Sequence, residues 1–297
     1  MRQEAAYLAV QSICREYNVS ISRMCAIAGI ARASYYKWLN REIPEAELLN
    51  EAIAEAVMSI HKEYPDKGHR RIRDDLLRDY GFDVSDRRVL RLCRILGIKS
   101  TIKYERNSCT VNAKDPQHIS ENILKRNFRA DAPNEKWLTD VTEFKYYEGS
   151  EKRKVYLSAI LDLYDRRIVA YVIGDSNNTP LVNDTFEKAV ASYPDAHPLF
   201  HSDRGFQYTN AIFHEMLTEH GMTQSMSRVG KCIDNGPIEG FWGILKRERY
   251  YGKRFESRED IVDMIESYIY YYNNRRYQRQ LGVVTPIEKY EQYLSAA

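Results

Sequence analysis

Apolar residues in the first 40 positions recur at the spacing of an amphipathic helix, and Gly29 interrupts this pattern. Ser22 can cap a first helix that runs to about Ala28, Gly29 supplies a turn, and a second helix fits residues 32–39. Two short helices joined by a tight turn predict a helix-turn-helix unit that binds DNA. An ordinary helical hairpin without a ligand has the same pattern and stays open as the alternative.

The second of these helices is predicted to have one buried and one exposed face. Tyr36 and Leu39 are expected to be buried, whereas Arg32, Tyr35 and Lys37 are expected to face solvent. Because exposed cations on such a helix can reach phosphates, Arg32 and Lys37 are candidate DNA contacts.

A second helical pair is predicted in the basic stretch that follows. Good helix formers occupy residues 44–60, another helix fits residues 69–80, and Gly81 ends it. Ser85 or Asp86 then opens the next helix. The helix-turn-helix pattern is therefore repeated.

Arginines form a stripe along the last of these helices. Arg87, Arg91 and Arg94 recur at i, i+4 and i+7, which places them on one face. The opposite, apolar face consists of Val89, Leu92, Cys93 and Leu96. Such a stripe suits phosphate contacts or entry into the major groove, although a charged helix face most often simply meets solvent.

Beyond a predicted linker over residues 100–132, the pattern changes from helices to strands. Three strands, expected to be antiparallel, come first, and then a helix, a strand, a helix and a short strand follow. These segments are WLTDVTEF, KVYLSAILDLYD, RRIVAYVIGDS, residues 181–192, HPLFHSD, residues 211–220 and MTQSMS. Strands with interleaved helices predict an α/β domain.

A tyrosine-rich amphipathic helix is predicted over residues 261–272. Its apolar face suits core packing or contact with another protomer, and stacking on DNA bases is the less favoured interpretation. Arg275, Arg276 and Arg279 follow this helix and are candidate phosphate contacts.

Composition and charge restrict the class of protein. With 297 residues, 43% apolar residues and a net charge of +2, the chain does not have the composition of a disordered protein. It has no run of about 18 apolar residues and no apolar leader, and its five cysteines include no C-x-x-C pair, so a cytoplasmic protein is expected. Residues 1–130 carry a net charge of +6 and residues 131–297 a net charge of −4, which favours a nucleic-acid-binding front half.

Three acidic residues stand where predicted elements begin or end. Asp140 lies in the first strand of the α/β half, Asp203 ends the fourth, and Glu239 lies in the first turns of a later helix. A carboxylate within a strand needs a partner, because burying a lone charge is strongly unfavourable. Three converging carboxylates suit Mg²⁺ or Mn²⁺, and two such ions about 3.5–4 Å apart can support in-line displacement at a phosphodiester.

Two further residues bear on this candidate site. Lys246 follows Glu239 by seven positions, so both project from nearly one helix face and Lys246 could hold a phosphate backbone. Asp162 also ends an apolar strand, but a single strand-end Asp is more often an edge or turn residue than a metal ligand.

Taken together, these segments resemble a known family. WLTDVTEF, HSDRGFQY and, after a gap of 35 residues from Asp203 to Glu239, DNGPIEGFWGILKRE closely resemble the catalytic signature of DDE transposases of the insertion-sequence 3 family and of retroviral integrases. GHRRIRDDL and VSDRRVLRLCRILGI resemble the helix-turn-helix that precedes the catalytic domain, and YYYNNRRYQRQLGVVTPIEKY resembles the terminal element of that family. The spacing of a retroviral zinc domain is missing, which favours the bacterial branch.

The resemblance implies a fold and a domain plan. The fold would be an α/β catalytic domain of RNase H-like type, a mixed five-stranded sheet flanked by helices, preceded by all-α helix-turn-helix domains. The corresponding boundaries are residues 1–44 for a helix-turn-helix, residues 45–130 for a second helix-turn-helix with the linker, and residues 131–297 for the integrase catalytic domain with a helical tail.

The resemblance also implies an activity. Asp140, Asp203 and Glu239 would hold Mg²⁺ or Mn²⁺, as two ions, and the protein would cleave double-stranded DNA at element ends to expose a 3′-OH that attacks target DNA. A homo-oligomer on DNA, a bacterial nucleoid location and a partner encoded by an upstream reading frame are part of the expectation. Two alternatives stay open: an RNase H-like nuclease that only hydrolyses, and a DNA-binding regulator with a degenerate catalytic domain.

Overall fold

The computed structural model describes residues 4–42, 44–102, 118–228 and 232–296. Two compact units divide the chain, Met1–Ala56 and Val57–Ala297. Of the linker predicted over residues 100–132, residues 103–117 lie outside the described part of the chain. No helix within the described ranges is both long and apolar enough to cross a lipid bilayer.

The first unit contains three short helices and most of a fourth. They are α1 (Glu4–Tyr17), α2 (Ile21–Ile27), α3 (Arg32–Leu39) and α4 (Glu45–Glu63), the last of which continues into the second unit. Ser20, rather than Ser22, caps α2, because its hydroxyl accepts a hydrogen bond from the backbone N–H of Arg23. Gly29 adopts a left-handed conformation (φ +64°) in the turn between α2 and α3, as the sequence predicts.

The buried face of α3 differs from the prediction. Tyr35 is only 2% exposed, whereas Tyr36 is 41% and Leu39 40% exposed. Tyr35 and Trp38 pack their rings around Tyr7 of α1, with centroids 6.3 and 5.4 Å from the Tyr7 ring. Helical periodicity alone could not choose between neighbouring tyrosines, because the choice depends on where α1 lies.

After the end of α4, the second unit contains the predicted pair of helices. The first helix is α5 (His69–Asp79), Gly81 follows it with φ +71°, and the hydroxyl of Ser85 caps α6 (Asp86–Ile95) by accepting from the N–H of Arg88. The apolar face of α6 is buried through Val89, Leu92 and Cys93, and Leu96 is half-buried. The predicted division of α6 into an apolar and an arginine face is confirmed.

A mixed five-stranded sheet forms the centre of this unit, in the order β3-β2-β1-β4-β5. Strands β1, β2 and β3 are antiparallel neighbours, whereas β4 pairs in parallel with both β1 and β5. The strands are β1 (Lys136–Glu148), β2 (Glu151–Asp162), β3 (Ile168–Gly174), β4 (Leu199–Ser202) and β5 (Thr223–Met226). The predicted strand order along the chain and the antiparallel start of the sheet are confirmed.

Helices cover both faces of this sheet. Helices α7 (Thr179–Ser192) and α8 (Ala211–Glu219) pack on one face, and α9 (Gly236–Leu245) and α10 (Arg258–Asn274) pack on the other, whereas α11 (Pro286–Ala296) contacts α10. Because side chains alternate along β1, Leu138 joins a core with α9 and α10, whereas Trp137 joins a core with α7 and α8. The tyrosine-rich helix predicted at residues 261–272 packs inside the first of these cores as part of α10.

The described end of the predicted linker packs along the sheet. Ser225 Oγ accepts hydrogen bonds from the backbone N–H groups of Ile123 and Leu124, and the N–H of Met226 donates to the carbonyl of Glu121. Leu124 is 2% exposed and belongs to the core that contains α9 and α10. Residues 118–124 are therefore fixed beside β5.

Candidate active site

Two of the three predicted acids occupy equivalent positions on neighbouring parallel strands. Leu138 of β1 pairs in register with His201 of β4, and the two strands run in the same direction. Asp140 and Asp203 each lie two residues beyond this pair, and adjacent strands are about 4.8 Å apart. The strand register thus brings the two carboxyl groups near each other, with Asp140 inside β1 and Asp203 directly after the end of β4.

The loop after β4 holds the side chain of Asp203. The backbone N–H of Gly205 donates to Asp203 Oδ1 at 2.8 Å. A Cβ atom at position 205 would lie 2.9 Å from that oxygen and 2.6 Å from Gln207 Oε1. Any larger residue at position 205 would therefore force the ends of these two side chains to move.

The beginning of α9 is attached to β1 immediately beside Asp140. Asn235 precedes the helix and donates from Nδ2 to the carbonyl of Thr139 at 3.0 Å. One turn past Glu239, the indole N–H of Trp242 donates to Asp140 Oδ2 at 2.9 Å. Glu239 lies in the first turn of α9, where the positive end of the helix dipole favours an acidic side chain.

The three acids lie within one another's electrostatic field. Burial and the charge of Asp203, opposed by the Trp242 hydrogen bond, raise the pKa of Asp140. Burial raises the pKa of Asp203 against the hydrogen bond from Gly205, and burial with the charge of Asp203 raises the pKa of Glu239. Each negative charge in this half-buried group disfavours ionisation of its neighbours, so a bound cation would stabilise the ionised carboxylates.

The donor chemistry fits a hard divalent cation, since carboxylate oxygens are the ligands that Mg²⁺ and Mn²⁺ prefer. Across the described residues, however, no three His, Cys, Asp or Glu side chains are already close enough together to hold a metal ion. The strand register thus places Asp140 and Asp203 together. Glu239 lies near them, but the three side chains are not close enough to form a complete metal site.

Lys246 lies at the end of α9, where the helix continues into a π-helical turn, Lys246–Tyr250. Its Nζ is 5.1 Å from the centre of the Phe144 ring of β1. The side chain is half-buried, and its ammonium group lies within the distance at which a cation interacts with an aromatic ring. Contact between Lys246 and DNA stays a prediction.

The other predicted DNA contacts are exposed. Arg87, Arg91 and Arg94 project from α6, and none of them has a carboxylate partner among the residues that the structure describes. Arg32 and Lys37 are exposed on α3. Their contact with DNA remains a prediction as well.

The expectation for Arg276 and Arg279 requires correction. Arg276 lies 2.8 Å from Glu248, and Arg279 lies 2.9 Å from Asp74 and 2.7 Å from Asp86. Both guanidinium groups therefore bind carboxylates within the chain instead of standing free for phosphates. The sequence could not indicate this, because their partners lie on distant segments.

Asp162 has a structural role. It is fully buried, and its carboxylate accepts hydrogen bonds from the backbone N–H groups of Asn134, Tyr164 and Asp165. It organises the turn after β2 and is not part of the Asp140 and Asp203 pair.

Comparison with known proteins places this arrangement in a family. An integrase core domain model matches residues 130–232, a second model of the same description matches residues 239–294, and an HTH-like domain model matches residues 48–106.

Relatives match over most of the chain. A transposase-like protein of Haemophilus influenzae, itself uncharacterized, is 41% identical over 212 residues, which are 71% of this chain and 95% of that protein. The transposase InsF of insertion sequence IS3A from Escherichia coli is 28% identical over 277 residues, 92% of this chain and 94% of that protein. Among solved structures, the HTLV-2 integrase catalytic core domain in complex with magnesium has a TM-score of 0.41 and 18% identity, and the match covers 55% of this chain and 99% of that one.

The five-stranded mixed sheet, its flanking helices and the helical pair before it thus define an integrase-core protein with an HTH-like domain. The chain belongs to the insertion-sequence 3 family of transposases. The predicted family, the RNase H-like fold class and the assignment as a DNA transposase are confirmed.

Proposed function

We propose that Asp140, Asp203 and Glu239 are the catalytic acids of this transposase and hold two Mg²⁺ or Mn²⁺ ions. The observation that carries the proposal is the parallel register of β1 and β4, which sets Asp140 and Asp203 side by side. Their raised pKa values support it, because a site that penalises clustered negative charge favours a cation.

The reaction would proceed in two steps at this site. In the first step, water attacks a phosphorus at the element end and breaks its bond to the 3′ oxygen, which leaves a 3′-OH on the element strand and a 5′-phosphate on the flanking strand. The oxygen of that hydroxyl then attacks a phosphorus of target DNA and displaces the target's own 3′ oxygen. When bound, the divalent ions would activate the attacking hydroxyl and stabilise the leaving 3′ oxygen. Asp140 and Asp203 would provide fixed ligands, and Glu239, carried by α9, would complete the set.

The basic residues would hold double-stranded DNA, both element ends and target, against these carboxylates. Lys246, on the same helix as Glu239, would bind phosphate near the scissile bond. The α6 stripe (Arg87, Arg91 and Arg94) and the α3 pair (Arg32 and Lys37) would contact the duplex further away.

This assignment has a matching domain plan. Residues 1–44 and 45–130 would form the DNA-binding part and residues 131–297 the catalytic part. Because two DNA ends must be joined to one target, a homo-oligomer on DNA is part of the proposal, as are action on the bacterial nucleoid and a partner encoded by an upstream frame.

Substitution of Asp203 tests the chemical assignment. D203N keeps the side-chain shape and the oxygen that accepts from Gly205, so the protein should fold and bind element-end DNA while losing Mg²⁺-dependent cleavage and strand joining. D184N, which changes an exposed acid on α7, is the matched control and should remain active. An active D203N protein would refute the assignment.

A pre-cleaved DNA end separates transposition from simple hydrolysis. Supplied with an end that already carries a free 3′-OH, the wild-type protein should join it to target DNA, whereas a nuclease that only hydrolyses would give no joined product. DNA binding without any metal-dependent turnover would instead indicate a regulator.

A further inference from the structure

Trp242 is the residue that connects α9 to the first catalytic acid. It is 6% exposed, and its indole N–H donates to Asp140 Oδ2 at 2.9 Å. It lies three positions after Glu239, a spacing that places two residues on the same face of a helix. This hydrogen bond connects the helix that carries Glu239 with the strand that carries Asp140, in addition to the bond from Asn235 to the Thr139 carbonyl.

This hydrogen bond restricts the rotation of the Asp140 side chain, which also accepts from the backbone N–H of Val141. The terminal torsion of an Asp side chain has broad, two-fold preferences, so an isolated carboxylate has little intrinsic orientation. A buried donor on Oδ2 fixes the plane of the carboxyl group and favours its ionised form, in opposition to burial and to the charge of Asp203. The indole N–H can only donate a hydrogen bond, so the Asp140 oxygen is always the acceptor in this contact.

The packing of the ring makes the donor rigid. Trp242 lies in the core between the sheet and α10, and its ring is 5.0 Å from that of Phe241. A donor held by a buried ring orients its acceptor more strictly than a flexible polar side chain does. Partners of this kind around a metal site commonly change metal affinity 10- to 100-fold when they are removed.

We propose that Trp242 is a positioning residue for the metal-binding carboxylates: its indole N–H orients Asp140 and holds α9, and with it Glu239, at the distance the ions require. This inference rests on the proposed function, because it assumes that Asp140 binds the ion. It assigns Trp242 no contact with DNA or with the reacting atoms.

The test compares two tryptophans that each donate one indole hydrogen bond. W242F removes the donor to Asp140 and keeps an aromatic ring in the core. W137F is the matched control, because Trp137 is fully buried and donates to Asn134 Oδ1 at 3.3 Å. Metal binding is measured on the full chain by the shift of its thermal unfolding with Mn²⁺ concentration, alongside strand cleavage.

The midpoint of the titration is the Mn²⁺ concentration that gives half of the maximal thermal shift. This midpoint should be roughly 10-fold or more higher for W242F than for the wild type. W137F should keep the wild-type midpoint even if its unfolding temperature without metal is lower. Equal midpoints for W242F and the wild type would overturn the inference. D140N separates this failure from failure of the proposed function: if D140N also binds Mn²⁺ like the wild type, the assignment of the acids is wrong.

A spectroscopic measurement on the wild-type chain covers the case in which W242F does not fold. The sequence contains three tryptophans, Trp38, Trp137 and Trp242. Nitrogen-15 spectra of the labelled chain should contain three indole N–H signals, and W38F and W137F would assign the third by elimination. Addition of Mg²⁺ should shift the Trp242 signal and leave the other two in place; an unmoved Trp242 signal in a protein that binds Mg²⁺ would contradict the proposal.

Discussion

Arg71 Nη1 in α5 lies 2.8 Å from Glu248 Oε1 in the π-helical turn that follows α9, although the two residues are far apart in the sequence. Glu248 also binds Arg276 at 2.8 Å and accepts a hydrogen bond from the hydroxyl of Tyr268 at 2.9 Å. A single buried carboxylate therefore connects the helix before the catalytic sheet, the helix that carries Glu239 and the segment after α10. The α5–α6 pair is thereby fixed to the catalytic part of its unit.

Removal of the charge of Glu248 should be strongly destabilising. E248Q leaves two guanidinium groups near a neutral side chain, and breaking a buried ion pair in this way costs about 3–5 kcal/mol. The measurement is the free energy of unfolding from urea denaturation. E187Q, at an exposed position on α7, is the control and should lie within about 0.5 kcal/mol of the wild type. A similarly small effect for E248Q would show that the buried charge contributes little.

The same carboxylate predicts how stability depends on pH. Burial alone would raise the pKa of Glu248, but the charges of Arg276 and Arg71 outweigh burial and the net pKa is lowered. Because the pKa is lowered in the folded state, the ionised carboxylate contributes its full stabilisation above the unfolded-state pKa of about 4.3. This stabilisation is lost as the pH falls toward the folded-state pKa. The stability difference between wild type and E248Q should therefore be constant above about pH 4.3 and shrink below it. A constant difference throughout acid titration would contradict this coupling.

Gly205 provides a prediction about the geometry of the proposed catalytic site. In G205A the new methyl group would lie 2.6 Å from Gln207 Oε1 and 2.9 Å from Asp203 Oδ1, so both side-chain ends must shift and the carboxylate loses its present position. Strand cleavage should fall roughly 100-fold, as expected for a displacement of about 1 Å at a reacting site, with little change in unfolding temperature. G240A is the control: it lies beside Glu239, and its added Cβ atom meets nothing within 4 Å. Comparable losses in both variants would show that crowding at Asp203 is not the cause.

Much of this architecture follows from local patterns, and the rest depends on contacts between distant segments. The sequence predicts the strand that carries Asp140, the end of the strand before Asp203 and the face of α6 with its arginines, because side-chain alternation and helical periodicity are local. It could not predict the register that aligns Leu138 with His201, which fixes the distance between the two acids.

The residues that the sequence interpretation missed share one property. Trp242 and Glu248 have ordinary helical surroundings in the sequence, and their roles arise from partners on β1, α5 and the segment after α10. The spacing of Trp242 from Glu239 was the available signal, since a residue three positions along a helix faces the same neighbour. No comparable local signal marks Glu248.

The arginine stripe of α6 gives the sharpest prediction about DNA. If Arg87, Arg91 and Arg94 each neutralise a phosphate, the triple variant R87A/R91A/R94A should make the slope of log affinity against log salt concentration shallower by about 2–3 units, because binding with three fewer phosphate contacts releases fewer counterions. The control K152A/R153A/K154A removes the same formal charge from exposed positions on β2. Binding to element-end DNA is measured at several salt concentrations for both variants. Equal changes in slope would mean that net charge alone determines binding, and an unchanged slope in the α6 variant would exclude the stripe from the DNA interface.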